Sequence, residues 1–208
     1  MQKIKICGLR YPVNIKSISQ LPVHYLGFIF YPKSPRYVGV NMDPVVLQNI
    51  PQHLKKVGVF VNEEAESLLA IKDRYGLDLL QLHGEESPQL CGKLKKSGVR
   101  IIKAFQVDEH FDFKILEDYA EVVEYFLFDT SSKQYGGSGK KFNWQMLENY
   151  DGMVPFFLSG GIGPGDVKAI LEFQHPMLHA LDLNSGFEDC PALKNVGHLQ
   201  CFTEKIGH

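Results

Sequence analysis

No apolar run in this chain is long enough to cross a bilayer, and the amino terminus, MQKIKICG, carries charge where a signal peptide would have its apolar core. No membrane-spanning helix is therefore expected, and a cytoplasmic location is. Excess charge is missing too. A net charge of −2 argues against nucleic acid as a partner, and the cluster Lys93, Lys95, Lys96 and Arg100 reads as a solvated helix face. Cysteine is sparse. The four present, Cys7, Cys91, Cys190 and Cys201, form no CxxC pair and no dense framework, so neither zinc nor disulfides are indicated. No linker rich in Ser, Pro and Gly interrupts the 208 residues, which makes one domain over residues 1–208 the expectation.

What the chain does have is alternation. Short runs rich in β-branched and aromatic residues recur at Lys3–Cys7, Tyr25–Phe30, Lys56–Val61, Asp78–Leu82, Arg100–Phe105, Tyr125–Asp129, Pro155–Ser159 and His179–Leu183. Helical periodicity lies between most of them, at Asp43–Asn49, Glu64–Tyr75, Ser87–Ser97, Trp144–Tyr150, Gly165–Phe173 and Leu193–Ile206. Pro12–Gln20 is a weaker helix, and His110–Tyr119 is ambiguous. Eight strand–helix repeats predict parallel strands with crossover helices, closed as a barrel or open and doubly wound. The barrel is favoured because the unusual residues all lie just past strand ends. In a (β/α)8 barrel those positions converge on one mouth, whereas an open sheet gathers only those near its switch point.

The stretch Phe126–Trp144, FLFDTSSKQYGGSGKKFNW, is the one that packing explains least. A strand ends in Asp129 and Thr130 and gives way to a loop with Gly136, Gly137, Ser138, Gly139, Lys140 and Lys141. Two readings are open, a general acid facing a small anionic substrate or a strand end followed by a solvated turn. Cys7-Gly8 ends the first strand. A lone cysteine there is usually a small buried hydrophobe, but at a barrel mouth its thiolate is a competent proton acceptor if its pKa falls or substrate contacts offset it.

Arg36 follows two prolines in Tyr31-Pro32-Lys33-Ser34-Pro35-Arg36. It is suited to a bidentate pair with a substrate carboxylate or phosphate, or else to a nearby acid of the protein. His83 is either a substrate contact or a hydrogen-bonded rim histidine. The turns with Gly160-Gly161 and Asn184-Ser185-Gly186 follow the last two strands, where barrels of this kind hold phosphate on backbone N–H groups.

The ordered set KICGL (Lys5–Leu9), FYPKSPRYV around Arg36, VGVFVN (Val57–Asn62), LQLHGEE from Leu80, FDT followed by GGSGKKFNW, LSGGI and DLNSGFE resembles the phosphoribosylanthranilate isomerase family of tryptophan biosynthesis. The resemblance runs through nearly the whole chain. It implies a single-domain (β/α)8 TIM barrel that turns N-(5-phosphoribosyl)anthranilate into its 1-deoxyribulose isomer without metal or organic cofactor. It also implies Cys7 as general base, Asp129 as general acid, Arg36 as anchor of the anthranilate carboxylate, and Gly160, Gly161, Ser185 and Gly186 as phosphate holders. His83 and Asn184 join the substrate-binding set, Asn184 as a donor to phosphate. The chain departs from the family in Asn143, where an aspartate is common, and in Leu183-Asn184, where the family has Val-Ser. The expected partner is a small phosphosugar, with a monomer or homodimer as the assembly. Two rivals remain: an isomerase of a related aminosugar phosphate, from which Cys7 discriminates, and a non-catalytic barrel that binds a phosphosugar.

Overall fold

Each of the first seven strands of this protein is followed by a connection that returns the chain to the same end of the sheet. The computed structural model describes residues 2–39, 42–129 and 144–207. Eight strands, β1 (Lys3–Ile6), β2 (Tyr25–Ile29), β3 (Lys55–Phe60), β4 (Leu79–Leu82), β5 (Ile101–Gln106), β6 (Tyr125–Asp129), β7 (Phe156–Ser159) and β8 (Leu178–Leu183), pair in sequence order and close into a barrel. Every pair is parallel, and closure is made by β1 on β8 over Lys3↔Ala180 to Ile6↔Leu183. The open, doubly wound alternative is thereby removed.

The crossovers form where the sequence places caps. Helix α1 (Pro12–Ile18) opens on proline, α2 (Pro44–Gln48) starts with the Asp43 carboxylate accepting from Val45 N, and α3 (Ala65–Tyr75) stops at Gly76 with φ +60°. Helix α4 (Pro88–Lys96) has Ser87 accepting from Leu90 N. The ambiguous stretch before β6 resolves into a 3₁₀ turn, Phe113–Leu116, running into the short α5 (Glu117–Ala120). Trp144–Asn149 is a 3₁₀ segment rather than the α-helix expected there. A 3₁₀ turn at Pro164–Asp166 leads into α6 (Val167–Glu172).

The last expected helix begins three residues late. Glu188–Cys190 (β9) and Leu193–Lys194 (β10) form an antiparallel hairpin first, and α7 (Val196–Ile206) starts only where the Asn195 side chain accepts from His198 N. The apolar Leu193 fits a helical period, but backbone pairing to β9 uses it as strand.

Period-two alternation sorts the strands into two faces. One face, including Ile4, Ile6, Phe28, Phe126, Phe128 and Leu181, packs outward under the helices. The other fills the barrel with Tyr25, Val57, Leu79, Ile102, Ala104, Tyr125, Leu127, Phe157 and Ala180. Inward parity continues upward from this layer to Lys5, Gln81 and Asp182, and then to Cys7, His83 and Asp129 at the mouth. Among the described residues no helix is long and apolar enough to cross a membrane. All four cysteines are free, as their spacing suggests.

Candidate active site

Because Cys7, His83 and Asp129 each sit two residues beyond an inward-facing residue of β1, β4 and β6, closure of the barrel turns all three toward one opening. Cys7 extends β1 by donating its N–H to the carbonyl of Leu183, 2.9 Å away, and is 3% exposed. Room for its sulfur comes from β2, where a Cβ on Gly27 would lie 2.9 Å from Sγ. Asp129 ends β6 with its side chain 23% exposed, and its Oδ2 lies 3.6 Å from His83 Nε2.

A buried polar chain runs beneath these residues. Lys5 Nζ donates to Gln81 Oε1 at 2.6 Å and to Asp182 Oδ1 at 3.0 Å, and the Gln81 amide is 2.8 Å from His83 Nδ1. With Gln81 Oε1 occupied by the ammonium, its NH₂ donates to Nδ1, so neutral His83 carries its proton on Nε2, the nitrogen nearest Asp129. Of the two readings of His83, substrate contact or hydrogen-bonded rim histidine, its bond to Gln81 is consistent with both.

Lys5 and Asp182 are functional candidates that the sequence reading passed over. The signal was available in the parity of β1, where Lys5 and Cys7 share a face. Burial works against the Lys5 ammonium, but the Asp182 carboxylate and the Cys7 sulfur outweigh it and raise its pKa. For Cys7 the balance goes the other way. Burial pushes the thiol above its ordinary value, and the neighbouring Lys5 and Lys194 only partly oppose this. The groups around Cys7 therefore do not themselves supply the fall in pKa required of a base.

Arg36 and Asn184 meet at Gly8, whose φ is +78° and whose missing Cβ would stand 2.8 Å from both Arg36 Cδ and Asn184 Oδ1. Only glycine fits beside Cys7. Arg36 pairs with Glu188 through Nε (2.9 and 3.0 Å) and Nη2 (2.7 Å), so the alternative of a protein acid as partner is realised. Gly160 and Gly161 follow β7 with φ of +105° and +64°, and Ser185 and Gly186 form a 3₁₀ turn after β8. These two turns touch, since a Cβ on Gly186 would come 2.2 Å from the carbonyl oxygen of Ile162. Thr130, Gly136, Gly137, Ser138, Gly139, Lys140, Lys141 and Asn143 lie outside the described residues.

A family model described as N-(5'phosphoribosyl)anthranilate (PRA) isomerase matches residues 4–205. The N-(5'-phosphoribosyl)anthranilate isomerase of Parabacteroides distasonis is 46% identical over 208 aligned residues, covering 99% of this chain and 93% of that protein. The one from Phocaeicola vulgatus is 43% identical, covering 98% and 97%. Among solved structures, phosphoribosyl anthranilate isomerase from Thermotoga maritima superposes with a TM-score of 0.88 at 33% identity, covering 100% of this chain and 99% of that one. A structure of phosphoribosyl anthranilate isomerase in complex with reduced 1-(o-carboxyphenylamino)-1-deoxyribulose 5-phosphate gives a TM-score of 0.86 at 30% identity, with the same coverage.

Proposed function

We propose a division of labour at the barrel mouth that starts from one premise: the chain belongs to the N-(5'-phosphoribosyl)anthranilate isomerase family. It is an isomerase of tryptophan biosynthesis that converts N-(5-phosphoribosyl)anthranilate to 1-(2-carboxyphenylamino)-1-deoxyribulose 5-phosphate. Residues 1–208 act as one catalytic domain, in the cytoplasm and without metal or organic cofactor. Its assembly is a monomer or homodimer, and the dimeric enzyme of Thermotoga maritima lends support to the second.

The rearrangement needs a proton delivered to the furanose ring oxygen, which opens the ring to a Schiff base, and a proton removed from C2, which gives an enolamine that tautomerises to the ketone. Asp129 delivers the first and Cys7 removes the second. The observation that carries this is parity within a closed barrel. It puts a carboxyl on β6 and a thiol after β1 at the same opening, with His83 Nε2 3.6 Å from the Asp129 carboxylate. The iminium charge on the substrate favours the thiolate, offsetting the burial that raises Cys7 in the free protein.

Phosphate lies on the touching turns of Gly160-Gly161 and Ser185-Gly186, with Asn184 beside them. The carboxylate lies on Arg36, and His83 contacts the substrate from beside Asp129. Anchoring both ends holds C2 between acid and base, which reduces the entropic part of the barrier.

The test follows the loss of phosphoribosylanthranilate fluorescence. Cys7→Ala and Asp129→Asn each lower kcat by about 10²–10⁴-fold while product binding persists. Full turnover in either variant overturns the corresponding role. In the wild type, kcat/KM rises as pH is taken above neutrality, because the basic form of a thiol with a raised pKa is scarce at pH 7.

A further inference from the structure

The reaction itself gives no role to Glu188, which closes the DLNSGFE motif, or to Lys194, yet both are extensively bonded. Each Glu188 oxygen receives more than one donor: Arg36 at 2.7–3.0 Å, Lys194 Nζ at 2.6 Å and the N–H of Ala192 at 3.1 Å. Its side chain is 5% exposed. Lys194 is fully buried, and its ammonium also donates to Asn184, at 2.7 Å to Oδ1 and 3.2 Å to the backbone carbonyl.

The backbone of Lys194 is itself fixed by α1. Its N–H donates to Asn14 Oδ1 and its carbonyl accepts from Asn14 Nδ2, both at 2.9 Å. A rigid line thus runs from α1 through β10 and β9 to the guanidinium. A guanidinium offers two bidentate edges. Glu188 takes the Nε–Nη2 edge, which leaves the Nη1–Nη2 edge as the one that can receive a second carboxylate.

We propose that the β9–β10 hairpin is a positioning element, in which Glu188, held by Lys194, presets Arg36 so that its terminal edge meets the substrate carboxylate. This rests on the reading of Arg36 as the carboxylate anchor. An arginine on a loop has many rotamers to lose when it binds, and fixing it beforehand removes that loss. The charges agree with the role. Arg36 and Lys194 at +1 each and Glu188 at −1 sum to +1, so the cluster still attracts an anion. Although burial works to raise Glu188, Arg36 and Lys194 hold it below its ordinary pKa and therefore ionised.

Glu188→Gln separates positioning from charge because the two predict opposite signs. Removing the negative charge strengthens attraction for a carboxylate, so a purely electrostatic role lowers KM, whereas loss of positioning raises it. The expected result is a KM for phosphoribosylanthranilate raised about tenfold, with kcat within about twofold. In an Arg36→Ala background the same change shifts KM by less than about twofold, because Glu188 acts through Arg36. Glu188→Asp, one methylene too short to span Arg36 and Lys194, gives the same direction and stands in if the glutamine variant does not fold.

A KM that is unchanged, lowered, or raised equally in both backgrounds overturns the inference. If Arg36→Ala alone leaves KM unchanged, the anchor assignment itself has failed and the positioning role falls with it.

Discussion

Two layers of the same barrel interior solve opposite problems. The lower one is a dry plug in which Tyr25, Val57, Leu79, Leu127 and Phe157 fill the space between strands. Phe157 packs edge-on against Tyr25 and Tyr125, with ring centroids 5.2 and 5.4 Å away. One turn of the pleat higher, the same inward positions carry Lys5, Gln81 and Asp182, all 5% exposed or less. The lower layer stabilises by removing apolar surface from water. A buried ion pair gains far less, since desolvating two charges cancels much of their attraction. The difference teaches that the upper layer is kept for the groups standing on it, Cys7 and His83, and the lower for closure.

Lys5→Met should break that contrast most sharply. It strands the Asp182 carboxylate in the barrel, and a loss of about 4 kcal/mol in urea unfolding is expected along with a collapse of turnover. Adding Asp182→Leu removes the orphaned charge, so stability returns while activity does not. Recovery of activity in the double variant would show that the pair serves only to hold the fold.

Leu79→Ala, in the plug, costs about 3 kcal/mol by leaving a cavity. The kcat of the protein that remains folded stays within about twofold of wild type. A large fall in kcat would mean that the two layers are not separable.

The smallest effect belongs to the floor of the plug. There His179 Nε2 lies 2.7 Å from the Tyr25 hydroxyl, and burial lowers its pKa from 6.5 to about 4. The folded state resists protonation more than the unfolded state does. Its contribution is therefore complete above about pH 6.5 and is lost as the pH falls toward 4. His179→Gln should flatten this part of the Tm–pH curve, and an unchanged acid slope would assign it to other groups.

Much of this was legible in the chain. The eight strands fall within about a residue or two of their expected bounds, because β-branched runs, caps at Asp43 and Ser87, and Gly76 are local signals. The candidate site residues were legible too, since strand ends in a barrel share a mouth. What escaped was the buried charge. Lys5 and Lys194 look like ordinary surface lysines until their partners Asp182 and Glu188 are brought to them. The β9–β10 hairpin escaped for a similar reason. Its two-residue strand has no periodicity to read, and only its pairing shows that Leu193 is not helical.

The sequence by itself determined the alternation of strands and helices, the residues available at their ends and, through the ordered motifs, the family. Closure of the sheet decided the rest. It fixed which of the alternating residues are inside, gave Lys5 and Asp182 to each other across 177 positions of chain, and left Cys7 buried with a raised pKa. Period two determines that Lys5 and Cys7 share a face, but the identity of what faces them depends on the register between β1, β2 and β8, and no local pattern encodes that.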